Sequence, residues 1–286
     1  MQDKVTEAVA GAVEPGVRLT ETEFSLRKRP ENLTAYDQYL RGLSRYYVVT
    51  REASDDAVHH LRQAIAADAG YAAAKATLAH CLMLRGTHRW TTPEDLAEAV
   101  RLAREALTTA KDDPEVLRLA GHVIATLGMD VATGLAATRR AVSMNPNSAA
   151  ANASAGWVHN QAGEGHQAVV YFERARRLSP RDPNLGRYLS GLSLAAFLSA
   201  DLVRAELAAR DAISEAPQWP LGHLALALAL AKQNRIQEAQ AASQQLLAVV
   251  PEFRITQNAF FQGLMVRLPV QAAIMQEAAV AAEIPL

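Results

Sequence analysis

The sequence predicts an all-α solenoid of about six helical hairpins, on three observations. Pro146, Pro180, Pro217 and Pro251 stand 34, 37 and 34 residues apart (180−146, 217−180, 251−217). A pair of small residues recurs twelve and five positions before each of these points: Gly134/Ala141, Ala168/Ala175 and Ala205/Ala212, then Ala239 with Leu246. The same frame upstream gives Ala99/Ala106 before Lys111 and Ala57/Ala64 before Ala69. Almost every segment has helical apolar spacing, and none alternates as a strand would. Such a period marks a repeat array, which grows by stacking rather than by enlarging one core.

Composition agrees with packing by small side chains, since 50% of residues are apolar but only 6% aromatic. A formal net charge of −1 argues against a broad electrostatic footprint for nucleic acid or an acidic membrane. The single cysteine, Cys81, permits no internal disulfide and fits a reducing compartment. MQDKVTEAVAGAVEP carries early acids and no apolar run of signal-peptide length. The longest apolar stretch, Leu224 to Ala231, is far short of the roughly 20 residues that span a bilayer. The expectation is a cytoplasmic protein without nucleic-acid or membrane partners.

The elements follow in order. A first helix is expected over about Asp3 to Val13, stopping near Pro15. A polar stretch ending in Arg27-Lys28-Arg29-Pro30 reads as a solvated linker, so residues 1–30 precede an array over 31–251 and a capping region over 252–286. The array opens with a helix near Thr34 to Val49. In the clearest unit, Ser148 to His159 forms the first helix, Gly163 to Gly165 the turn and His166 to Leu178 the second helix. Ser179-Pro180 ends it, because proline drives the preceding residue out of the α region. Gly128, Ala200 and Asn234 are expected to occupy other turns.

Residues seven apart lie near one helix face, so Ala168 and Ala175 make a smooth strip for close helix approach, with Gly156 facing it. Phe172 fills the space toward the next unit. The period is interrupted twice. Ala69 to Lys111 spans 42 residues (111−69), which places an insertion at Gly86 to Pro93 between the two helices of that unit. The 37-residue interval has Arg181-Asp182-Pro183 before its next helix, with Pro183 in the first turn. After Pro251 the period ends, and Pro269 to Ala282 reads as a helix that shields the last unit.

This frame resembles the tetratricopeptide repeat, a helix pair of about 34 residues with small, aromatic and proline signature positions. The best match, Ala149 to Pro180, offers Gly156, Gly163, Ala168, Phe172, Ala175 and Pro180 in the family's spacing, and the signal covers about Leu33 to Pro251. The resemblance implies a right-handed superhelix with a concave face lined by first helices. A narrower resemblance is carried by RKRPENLTAYDQYLRGL, QDKVTEAVAGAVEP and PEFRIT. RKRPENLTAYDQYLRGL looks like the opening of the repeat region in bacterial regulators that join a class III nucleotide cyclase or winged-helix domain to a TolB-like domain and tetratricopeptide repeats. QDKVTEAVAGAVEP looks like the last helix of the TolB-like domain, and PEFRIT fits the same pattern. That resemblance implies a regulatory half, with the cyclase site or DNA-reading helix upstream of Met1.

The concave face implied by the family frame includes His80 and Met83, then Glu115, Arg118, His122, Ala125 and Thr126. It continues through Ala150, Ala153, Trp157, Asn160 and Gln161, then Arg187, Ser190, Leu194, Phe197 and Leu198. The expected partner-binding groove centres on Arg118, His122, Trp157, Asn160, Gln161 and Arg187. Aromatic and arginine side chains dominate binding hot spots, and Asn160 and Gln161 can hydrogen-bond a peptide. The opposing reading packs Trp157 against an adjacent unit and leaves the polar groups solvated. Leu221, Leu224 and Leu228 divide in the same way between packing and an apolar patch.

His80, Cys81 and His88 lack the further ligands of a tetrahedral metal site, so they read as structural, as do the solvated His59 and His60. No nucleophile–base pair or phosphate loop is visible, and no catalytic residue or cofactor is expected. The sequence therefore points to a non-enzymatic scaffold holding a partner protein or peptide in its groove. Two alternatives stand beside it: the regulatory half just described, and a small-ligand site, which needs a closed apolar cavity inside the superhelix. An exposed Phe260-Phe261 surface would add a homodimer through the C-terminal region.

Overall fold

A computed structural model describes residues 34–286. The expected helix over Asp3 to Val13 and the Arg27–Arg29 linker lie outside the described residues. Six hairpins follow in order: α1 (Thr34–Tyr46) with α2 (Arg51–Ala67), α3 (Ala72–Gly86) with α4 (Pro93–Thr109), and α5 (Pro114–Thr126) with α6 (Val131–Met144). Then come α7 (Ala149–Gln161) with α8 (Gly165–Leu178), α9 (Leu185–Leu198) with α10 (Leu202–Glu215), and α11 (Pro220–Lys232) with α12 (Ile236–Val249). A 3-10 turn (Ile255–Gln257), α13 (Ala259–Arg267) and α14 (Pro269–Ala281) complete the chain, and no strand occurs among the described residues.

The stops are steric and repeat in frame. Asn145, Ser179, Ala216 and Val250, each followed by proline, have ψ of 80°, 80°, 75° and 88°. Proline excludes the helical region for its predecessor, so the second helix of each of these units must end there. The second small residue of each pair takes the closing hydrogen bond: Asp68, Ala110, Asn145, Ser179, Ala216 and Val250 donate to Ala64, Ala106, Ala141, Ala175, Ala212 and Leu246. The starts are capped locally. Ser148 caps α7, Asp113 caps α5, Asp201 caps α10, and Thr92 with Asp95 forms a capping box at α4.

The turns hold one correction. Gly163, Ala200 and Asn234 take left-handed φ of 75°, 60° and 61°, but in the third hairpin it is Met129, not Gly128, with φ 54°. That unit is one residue longer than the period (146−111 = 35), and the extra residue moves the left-handed position along by one. Pro183 likewise falls just before α9 rather than in its first turn.

The small pairs are buried throughout, and Phe172 is the wedge between units. A Cβ on Gly156 would lie 2.8 Å from the Phe172 ring, and one on Gly191 would overlap it. The nearest atoms facing Gly156 thus belong to the Phe172 ring rather than to the alanine strip. Leu221, Leu224 and Leu228 are all buried; Leu224 and Leu228 pack within the stack, Leu221 reaches the central space, and α14 lies across α11. Phe260 and Phe261 are buried too, so they form no exposed surface on which two copies could pair. Their segment instead turns inward, where α13 touches α5 and α7.

Candidate functional site

The first helices face a chamber of about 600 Å³ at the centre of the superhelix. Its wall is built from side chains spaced one repeat apart: Tyr46 from α1, His80 and Met83 from α3, Arg118 and His122 from α5, Trp157 from α7, and Arg187 and Tyr188 from α9. Trp219, Leu221 and Phe260 close the far side. Five of the six residues expected to line the groove do line this space: Arg118, His122, Trp157, Gln161 and Arg187.

Asn160 does not. Its side-chain amide is buried and donates to the Gly191 carbonyl at 2.9 Å, joining α7 to α9. Gln161 is also committed, since its Oε1 accepts from Arg267 Nη2 at 2.6 Å. Trp157 is buried among rings, stacked on His122 at 6.1 Å and edge-on to Phe172 and Phe260 at 5.7 and 6.1 Å. The packed reading of Trp157 and a place on the chamber wall therefore both describe it.

Two segments outside the repeat frame roof the chamber. The insertion after α3 carries His88 across the superhelix, where Nε2 meets the Gln218 carbonyl at 3.2 Å. Its ring stacks on Trp90 at 4.3 Å and tilts against Trp219 at 5.4 Å. Arg85 anchors this strap by donating to the Trp90 carbonyl and pairing with Asp55. The second segment is α13, which sets Phe260 against Trp157 and Arg267 against Gln161. Leu268 fits where Gly163 has no side chain, since a Cβ there would lie 2.5 Å from Leu268 Cδ1.

Electrostatics along the wall are uneven. Tyr46 Oη, His80 Nδ1 and Nε2, and His122 Nδ1 form a buried chain, with contacts of 2.7 and 3.1 Å. Burial, then His122 and the arginines, holds His80 well below its ordinary pKa, and burial with Arg118 lowers His122 to about 3. Both rings are neutral at pH 7. Burial opposes the charge of Arg118, but its bidentate pair with Glu115 holds the guanidinium above its ordinary value. Arg187 has a different setting. Nη1 donates to Asn184 Oδ1 at 2.9 Å, and Cζ lies 5.1 Å over the Trp219 ring. Asp182 lines the same space and accepts from Asn184 through Oδ1, and among the described residues no carboxylate pairs with Arg187. Among the described residues no cluster of metal-binding side chains forms, and no helix is long and apolar enough to cross a membrane.

No known family profile matches the chain, and no curated protein matches it. Solved structures do. A chain of the APC/C hetero-tetramer Cut9–Hcn1 is 15% identical, with a TM-score of 0.59 over 96% of this chain and 48% of that one. The present chain thus spans about half the length of that match. TTC0263, a thermophilic tetratricopeptide protein of Thermus thermophilus, is 19% identical, with a TM-score of 0.50 over 65% of this chain and 99% of its own. PilW, a type IV pilus biogenesis factor, is 16% identical, with a TM-score of 0.50 over 71% and 92%. At these identities the likeness is one of fold, and the fold is the tetratricopeptide superhelix.

Proposed function

We propose that this chain is a non-catalytic binding module that takes a small ligand into the chamber of its superhelix. One observation carries the reading: a space of about 600 Å³ lined by first helices and roofed by the chain itself, through His88 on Gln218 and Phe260 on Trp157. Its volume falls in the usual range of small-molecule sites, about 300–1,000 Å³, and its mix of apolar wall and few polar groups is typical of them. A partner peptide laid along the whole concave face would have to displace α13, which already touches α5 and α7.

The scaffold reading, with a protein or peptide on the same face, is supported by the fold and by the Cut9–Hcn1 match, whose structure is a protein assembly. A single variant separates the two. Ala150 lines the chamber without being fully buried, so Ala150→Trp fills the space with little strain on the stack. A small-molecule library is screened by thermal shift; ligand bound at 100 times its Kd stabilises by about 2.7 kcal/mol. Hits that stabilise the parent and not Ala150→Trp support the chamber. Partner proteins captured equally by both chains, with no small-molecule hit, favour the scaffold and sink the chamber reading. If the chain belongs to a larger regulator, as RKRPENLTAYDQYLRGL suggests, the chamber is its sensor. An in-frame effector domain upstream of Met1 is the result expected there, and its absence removes that reading.

A further inference from the structure

Arg187 is a chamber cation with an edge to spare. It gives Nη1 to Asn184 and one face to Trp219, which leaves its Nε and Nη2 edge without a partner among the described residues. Two parallel N–H groups on a planar fork match the two oxygens of a carboxylate. Arg118, also on the wall, is already neutralised in that manner by Glu115. The contrast between them is the argument: one guanidinium is satisfied within the fold, and the other is held in place with its binding edge open.

The rest of the wall suits a flat or extended apolar body. Trp157, Phe260, Tyr46 and Met83 line the same space, and His122 stacks on Trp157 as a neutral ring. His122 ends the chain from Tyr46 through His80, and its Nε2 has no partner among the described residues. The field of Arg187 reaches this wall, where, behind burial, His122 and Arg118, it helps hold His80 below its ordinary pKa.

We infer that the chamber is built for a small monoanion, a carboxylate on a flat or acyl apolar body, with the carboxylate on Arg187 and the body against Trp157 and Phe260. The inference rests on the chamber reading above. Three arginines line the chamber: Arg118 is neutralised by Glu115 and Arg89 is exposed on the strap, so Arg187 is the one open charge held inside, and a carboxylate matches it better than a phosphate dianion does. The same carboxylate chemistry also exists at the C-terminus of a peptide. The size of the chamber and the α13 roof favour the small molecule.

Calorimetry on the full chain tests this with 2-naphthoate, decanoate, the two corresponding primary amides, and an N-acetylated hexapeptide with a free C-terminus. The carboxylates are expected to bind about tenfold or more tightly than their amides, the difference a charge-assisted hydrogen bond makes. Arg187→Gln should erase that preference and Arg187→Lys should keep part of it, with circular dichroism confirming the fold of each. Equal binding of acid and amide, or a preference that survives in Arg187→Gln, overturns the inference while leaving the chamber reading intact. A hexapeptide that binds more tightly than both small acids overturns the small-molecule assignment. If none of the five probes binds, the inference falls, while the chamber reading is still decided by the library screen on the parent and Ala150→Trp.

Discussion

The two helices of a hairpin are buried in opposite styles, and the difference tells where function can reside. In the fourth unit, α7 buries every residue except Ala150, including Asn152, Ser154, His159, Asn160 and Gln161. Its partner α8 buries only Gly165, Ala168, Phe172, Ala175 and Leu178, a single stripe. The sixth unit repeats the contrast, with α11 hidden from Pro220 to Leu230 and α12 burying only Ala239, Ala242, Ser243 and Leu246. A polar group on such a first helix is therefore informative, because an unpaired buried group is costly and a partner or the chamber offsets that cost. Most polar groups on a second helix, Thr138 and Ser243 excepted, meet water and carry no such message.

The contrast breaks most severely at Phe172, the side chain by which a second helix enters the layer of first helices. Its ring sits between Gly156 and Gly191, with 1% exposure. Phe172→Ala leaves a cavity that two glycines cannot fill, and unfolding free energy is expected to fall by about 3–5 kcal/mol. Urea denaturation measures it. A loss below about 1 kcal/mol would mean that units four and five are held by something other than this wedge.

Burial of the first helices has a pH signature. The folded-state pKa of His122, about 3, lies below its ordinary 6.5, and His80 shifts in the same direction. Below about pH 6.5 the unfolded chain takes up protons that the folded chain refuses. Stability is therefore full above that point and declines as pH falls, by up to about 1.4 kcal/mol per pH unit for each such histidine. His122→Gln should reduce the slope between about pH 6 and 5 by nearly one proton. Burial lowers His88 and His159 as well, so part of the slope persists. Urea titrations at a series of pH values read the slope, and an unchanged slope in the variant would place His122 in contact with solvent.

The hairpins and most of the chamber wall are legible in the sequence because their signals are local. A proline forces its predecessor to an extended conformation wherever it occurs, and the frame then carries each first-helix position inward, as with Arg118, His122, Trp157 and Arg187. What closes the chamber is not legible there. His88 meets Gln218 across 130 residues, a contact set by the curvature of the whole stack rather than by any neighbouring residues. The insertion at Gly86 to Pro93 and the break after Pro251 stand out as departures, but period alone does not say that both turn inward. Asn160 departs from the expected groove for a related reason: adjacent to Gln161 on α7, it points to the carbonyl of Gly191 instead of the chamber.

The smallest expected effect sharpens the contrast from the other side. Val203 and Leu207 on α10 are apolar yet 67% and 60% exposed, one turn apart on the face away from the core. On sequence hydrophobicity alone they resemble the leucines of α11, which are buried. Position in the hairpin decides otherwise, since the stripe of α10 runs through Ala205, Ala208, Ala209 and Ala212. Val203→Ser and Leu207→Ser should each change stability by no more than about 0.5 kcal/mol, the range of surface substitutions. Leu228→Ser on α11 should cost several times more, because it leaves a cavity and buries a hydroxyl. If the Val203 or Leu207 change instead destabilises by about 2 kcal/mol, that face is covered in solution, and the one-stripe rule for second helices fails at α10.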